Sequence, residues 1–123
     1  MKRILVVDDA ATVRMYHRGI LESSGYTVEE AWNGIEALEK ALESSFDLYV
    51  VDVNMPKLDG YGFLRELRQQ NIPQQPAIMV STESAARDQI VAFKAGANAF
   101  LIKPLLPIQL STYVRLLLGE TIR

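Results

Sequence analysis

The chain has 123 residues, 13 basic and 15 acidic side chains, a formal net charge of −2 and 49% hydrophobic residues, which allows one domain with a sizeable core and gives no field to gather nucleic acid or an anionic membrane. It has no cysteine and a single histidine, His17, which excludes disulfide scaffolds, iron–sulfur clusters, cysteine nucleophiles and multi-histidine metal sites. Lys2 and Arg3 precede an apolar run, Ile4–Val7, that Asp8 and Asp9 stop far short of a signal-peptide core or a membrane span, so a cytoplasmic protein is expected.

In chain order, short apolar or β-branched runs begin near Ile4, Thr27, Leu48, Ala77 and Phe100, each followed by enough chain for one helix. The intervening segments space apolar residues as helices do: Val13, Tyr16, Ile20 and Leu21; Ile35, Leu38 and Leu42; Leu64 and Leu67; Ala86, Ile90 and Phe93; Leu110, Val114 and Leu117. These stripes are expected to face the core. Gly25 and Gly96 fall where the first and fourth helices should stop, Asn33 is placed to cap the second, and Pro73 and Pro76 mark the loop into the fourth strand. Ile4–Val7 and Leu48–Val51 are apolar on both faces, as in strands covered on both sides. The pattern predicts an α/β fold, a doubly wound parallel sheet of five strands with five helices, and residues 1–123 as one domain.

Ligands of such sheets bind beyond the carboxyl ends of the strands. The residues that follow the runs are Asp8 and Asp9, Asp52, Ser81 and Thr82, then Lys103 and Pro104. Carboxylates that share a site repel, so Asp8, Asp9 and Asp52 call for a cation. A hard ion such as Mg²⁺, with oxygen ligands and a position left for a phosphoryl oxygen, is the natural one. With that ion and Lys103 neutralising phosphoryl oxygens and Ser81 donating a hydrogen bond, Asp52 is placed to attack phosphorus in line, giving an aspartyl phosphate.

Asp8-Asp9, then Asp52 through Asn54-Met55-Pro56 to Asp59-Gly60, then Ser81, then Lys103-Pro104, occur in order over essentially the whole chain. In these motifs the sequence resembles the receiver domain of bacterial response regulators, especially the stand-alone, CheY-like chemotaxis type. The resemblance implies a flavodoxin-like sheet in the order 2-1-3-4-5. It implies Asp52 as phosphoacceptor, Mg²⁺ held by Asp8, Asp9, Asp52 and the backbone carbonyl of Asn54, and catalytic roles for Ser81 and Lys103. Which of Asp8 and Asp9 ligates directly stays open. Ser81 and Phe100 would be the switch residues, Asn54, Thr82 and Glu83 would control access to the phosphoryl group, and the Lys103–Pro104 bond would be cis. A histidine kinase or histidine phosphotransfer protein would supply the phosphoryl group, a flagellar motor switch or another protein would receive the output, and the protein would dephosphorylate itself. It would be a signalling switch and not a metabolic enzyme. Thr82 stands where Ala or Gly is frequent, and its bulk is expected to screen the phosphoryl group. Phe100, in place of Tyr, keeps a ring that can move but has no hydroxyl.

Each residue also has a plainer reading. Asp8-Asp9 suits any helix start, Ser81-Thr82 a cap, Asp52 a strand-end turn and Lys103 a solvated charge; only the set favours a site. His17, Trp32 and the methionines are expected in the core or at its boundary. A haloacid-dehalogenase-like phosphatase also uses aspartate and Mg²⁺ but needs a second acid where the chain has Asn54; a phosphorylation-independent adaptor is the other alternative. With no length for a DNA-binding domain, output is expected through protein contact, by a monomer or weak dimer. Between Pro104 and Leu118 the only charge is Arg115. Tyr113 and Leu116 lie off the Leu110–Val114–Leu117 stripe, and with Leu106 and Ile102 they are expected to form an apolar partner face on the fourth helix, fifth strand and fifth helix.

Overall fold

The five apolar or β-branched runs correspond to strands β1 (Arg3–Val7), β2 (Thr27–Ala31), β3 (Leu48–Asp52), β4 (Ala77–Ser81) and β5 (Ala99–Ile102). Helices α1 (Ala11–Ser23), α2 (Gly34–Glu43), α3 (Gly60–Gln69), α4 (Ala86–Ala95) and α5 (Pro107–Leu117) alternate with them. The computed structural model describes residues 1–83 and 85–120. All strands pair in parallel in the order β2-β1-β3-β4-β5, the doubly wound, flavodoxin-like arrangement anticipated above. The register places Val7 beside Ala31 and Val51, Asp52 beside Val80, and Ser81 beside Ile102. The carboxyl ends of the four strands that matter therefore finish level, and whatever follows them meets at one edge.

Side-chain alternation splits the core into two layers. Leu5, Val7, Tyr49, Val51 and Met79 pack with Ala37, Phe63, Leu64, Leu67 and Ala92, the inner faces of α2, α3 and α4. Ile4, Val6, Val50, Ile78 and Val80 pack with Leu21, Leu110 and Val114, the inner faces of α1 and α5. The α3 and α5 stripes fall where their spacing predicts, with Leu117 half-buried. Asn33 Oδ1 accepts from the Glu36 N–H at 2.8 Å and caps α2, and Gly96 ends α4 at φ 116°. No described helix is long and apolar enough to cross a membrane.

Three stripes turn out differently. On α2, Ile35 and Leu42 are exposed, and Gly34, Ala37 and Ala41 form the buried face. The helix lies so close to the β3–α3 loop that the Gly34 N–H donates to the Leu58 carbonyl at 2.9 Å, and a Cβ at Gly34 would stand 2.2 Å from that oxygen. Close approach of backbones, not bulk, fixes which side faces in. On α4, Ile90 and Phe93 are exposed and Ala92 and Ala95 are buried. On α1, Tyr16 is exposed, and its hydroxyl donates to the Leu105 carbonyl at 2.8 Å, while His17 is buried beside Leu21. Trp32 is neither core nor boundary: it is 56% exposed, with the Arg14 guanidinium carbon 5.9 Å from its ring centroid. Among the methionines, Met1 and Met15 are exposed and Met79 is fully buried.

Candidate functional site

The residues that follow the strands converge as the register requires. One carboxylate oxygen from each of Asp8, Asp9 and Asp52 lies within 4.8 Å of the other two. Asp8 and Asp52 are buried and Asp9 is exposed. Lys103, just beyond β5, extends its ammonium between the two buried acids, with Nζ 2.7 Å from Asp8 Oδ2 and 2.9 Å from Asp52 Oδ1. The Lys103–Pro104 peptide is cis. Ser81 is fully buried at the end of β4; its hydroxyl oxygen accepts from the Glu83 N–H at 3.0 Å, and its carbonyl accepts from the Lys103 N–H at 2.8 Å. The hydroxyl proton is thus not consumed by the Glu83 contact. Asn54, Thr82 and Glu83 are exposed around this edge.

Burial pushes the Asp52 carboxyl above the usual carboxylate range; the Lys103 hydrogen bond opposes the rise, and the Asp8 charge adds to it. Burial also works against the Lys103 charge, but hydrogen bonds to Asp8 and Asp52 outweigh it and hold the ammonium above its ordinary value. Three carboxylates thus face one ammonium, and the surplus negative charge sits on hard oxygen donors. That donor set fits a small divalent cation such as Mg²⁺.

A raised carboxyl pKa is a stability statement with a definite sign. The stabilising contribution of a neutral Asp52 is present below its unfolded pKa and is lost as the pH rises through the higher folded value. At neutral pH the ionised group therefore weakens the metal-free fold. Asp52→Asn should raise the urea midpoint in chelator at neutral pH, because Lys103 keeps Asp8 as partner, and the gain should shrink near pH ~4. A midpoint lower than that of the native protein at neutral pH would refute the charge-surplus description.

Phe100 and Ile102 are half-buried and alternate with buried Ala99 and Leu101. Phe100 packs against the layer that holds α3 and α4. Leu106, Tyr113 and Leu116 are exposed, and β5 is the edge strand. Two positions to which the motifs assign no role, Gly60 and Lys57, also shape the site. Gly60 opens α3, its N–H donates to the Val53 carbonyl at 2.9 Å, and a Cβ there would stand 2.2 Å from the Asp52 carbonyl oxygen. Lys57 adopts φ 70°, a left-handed backbone in a non-glycine residue, inside the loop between Asp52 and Gly60. The Asp59-Gly60 pair was a visible signal for the first of these; no pattern announces the second.

Clustered acids, a buried hydroxyl and a bridging lysine thus share the carboxyl edge of a doubly wound sheet. Residues 4–115 match the family described as response regulator receiver domain, and the chain belongs to that family. It is thereby a receiver domain of two-component signalling and has the fold of a signalling switch. It is 41% identical over 104 residues to the chemotaxis protein CheY of Bacillus subtilis, covering 83% of this chain and 85% of that protein. It is 38% identical over 120 residues to the B. subtilis alkaline phosphatase synthesis transcriptional regulatory protein PhoP, covering 98% of this chain and 50% of that protein. The chain spans about half the length of the transcriptional relatives it matches. Among solved structures, the chemotaxis protein CheY4 of Vibrio cholerae superposes with a TM-score of 0.90 at 34% identity, covering 95% of this chain and 98% of that one. The receiver domain of the sensor histidine kinase PA1611 of Pseudomonas aeruginosa, described with a magnesium ion coordinated in its active site cleft, superposes at 0.90 with 29% identity over 97% of this chain and 98% of that one.

Proposed function

We propose that residues 1–123 act as one cytoplasmic receiver module of a chemotaxis-type system, switched by phosphorylation of Asp52. The observation that carries this reading is the Lys103 ammonium bonded to both Asp8 and Asp52 within the three-carboxylate cluster, beside the buried Ser81 hydroxyl. A histidine kinase or phosphotransfer protein presents a phosphohistidine. An Asp52 oxygen forms the new O–P bond in line as the N–P bond breaks and its electron pair returns to the imidazole. Bound by Asp8, Asp9, Asp52 and the Asn54 carbonyl, Mg²⁺ would neutralise phosphoryl oxygens. Lys103 supplies a further positive charge, and Ser81 can donate its proton to a phosphoryl oxygen. Exposed Thr82, with Asn54 and Glu83, would govern how water later reaches the phosphorus for self-dephosphorylation. Phe100 and Ser81 would relay the change to Ile102, Leu106, Tyr113 and Leu116, an apolar face for a target protein. The similarity to two chemotaxis proteins, each matched over most of its length, supports that pathway type.

Asn54 removes the second acid that a haloacid-dehalogenase-like phosphatase would use. Incubation with acetyl phosphate and Mg²⁺ should add one acid-stable, hydroxylamine-labile phosphoryl group that peptide mapping places at Asp52 and that Asp52→Asn abolishes. Labelling that persists in Asp52→Asn, or that maps to Ser81, would overturn the mechanism. A native protein that takes no label would favour the phosphorylation-independent adaptor.

A further inference from the structure

We propose that Arg14, which lies outside the acidic cluster, is a positioning residue for it: its guanidinium fixes the Asp8 carbonyl and with it the β1–α1 turn that carries Asp9. This rests on reading Asp8, Asp9 and Asp52 as a divalent-cation site. Arg14 Nη1 donates to the Asp8 backbone oxygen at 2.7 Å, and its Nε donates to Glu30 Oε1 at 2.8 Å. One rigid guanidinium plane thus spans a carbonyl of the site and a carboxylate of β2 in a fixed geometry that a rotatable ammonium does not impose. Glu30 is anchored in turn by Arg18 Nη1 at 2.8 Å. The hydrogen bond from Arg18 is the main cause that holds the Glu30 carboxyl below its usual range, with burial opposing and Arg14 assisting. The Arg14 side chain is only 12% exposed.

Asp8 is then held at every polar atom. Its N–H donates to the Ala31 carbonyl at 3.0 Å, Oδ1 accepts from the Ala10 N–H at 2.9 Å, Oδ2 accepts from Lys103, and the carbonyl accepts from Arg14. Asp9 is exposed, and the turn that sets its place in the cluster is the one Arg14 holds through the neighbouring carbonyl. Partners of this outer kind are commonly worth 10- to 100-fold in metal affinity.

The sign of the effect separates positioning from mere charge. A nearby cation repels Mg²⁺, so if Arg14 acts only as a point charge, Arg14→Gln should tighten Mg²⁺ binding. The positioning role requires the reverse, a weakening of about tenfold. The experiment is a Mg²⁺ titration of the full chain followed by amide NMR shifts of residues 8–10 and 52–54, with thermal unfolding of each variant recorded beside it. Arg14→Lys should recover part of the affinity. Arg18→Ala, which loosens Glu30 without touching Asp8, should weaken Mg²⁺ binding by clearly less than Arg14→Gln does. Native or tighter binding in Arg14→Gln, or an equal loss in Arg18→Ala, would overturn the proposal. Asp9→Asn tests the underlying reading separately: native Mg²⁺ affinity in that variant would show that the cluster is not the cation site.

Discussion

Lys103→Ala should cost the metal-free protein about 3 to 5 kcal/mol, the usual loss when one partner of a buried ion pair is removed. The ammonium is the counter-charge held 2.7 Å from Asp8 and 2.9 Å from Asp52. Both carboxylates are buried, so water cannot take its place cheaply. Mg²⁺ should still bind, since the acids remain, and it should restore a larger share of stability to this variant than to the native protein, because a divalent cation offsets the same surplus. Combining Lys103→Ala with Asp52→Asn should recover part of the loss, as expected for contacting charges. Urea unfolding with chelator and with Mg²⁺ measures all of this. A variant as stable as the native protein in chelator, or a deficit that Mg²⁺ leaves unchanged, would contradict the electrostatic account of the site.

Gly60→Ala should be the most damaging single-methyl change near the site. The added Cβ would lie 2.2 Å from the Asp52 carbonyl oxygen and 3.1 Å from Met79 Sδ. The first neighbour is backbone at the end of β3, so the start of α3 or Asp52 itself must move by roughly 1 Å. Overpacking of this kind costs about 3 kcal/mol, and a displacement of that size at a reacting group can slow the chemistry about 100-fold. Gly19→Ala is the control: nothing lies within 4 Å of its added Cβ on α1. In a helix interior that change should stabilise by about 0.5 to 1 kcal/mol. Equal labelling rates for Gly60→Ala and the native protein would show that the close approach does not position Asp52.

The fold could be read from the chain because β1, β3, β4 and β5 are short, largely apolar runs, and because Asp8, Asp52, Ser81 and Lys103 lie at or just beyond their carboxyl ends. Parallel register then brings them level without further information. The α2 and α4 faces depart from the periodicity because spacing weights bulk, whereas these helices present Ala37, Ala41, Ala92 and Ala95 inward and leave Ile35, Leu42, Ile90 and Phe93 outside. Trp32 departs for the same reason: its size suggests a core, but it stands exposed near the Arg14 guanidinium. The contacts that hold the site, from Arg14 to the Asp8 carbonyl and from Gly60 to the Asp52 carbonyl, end on backbone atoms that every residue has. Side-chain patterns carry no mark of such contacts, so they become visible only when the chain is folded.

If chemistry at Asp52 changes a surface elsewhere, amide NMR spectra recorded before and after addition of acetyl phosphate with Mg²⁺ should reveal it. Shifts are expected at the site and also at Phe100, Ile102 and along α4 and α5, including Tyr113 and Leu116. All of these should be absent in Asp52→Asn, and those beyond the site should be lost in Lys103→Ala. Shifts confined to the loops that carry Asp8, Asp52 and Lys103 in a fully phosphorylated native protein, or the same distant shifts in Asp52→Asn, would contradict that coupling.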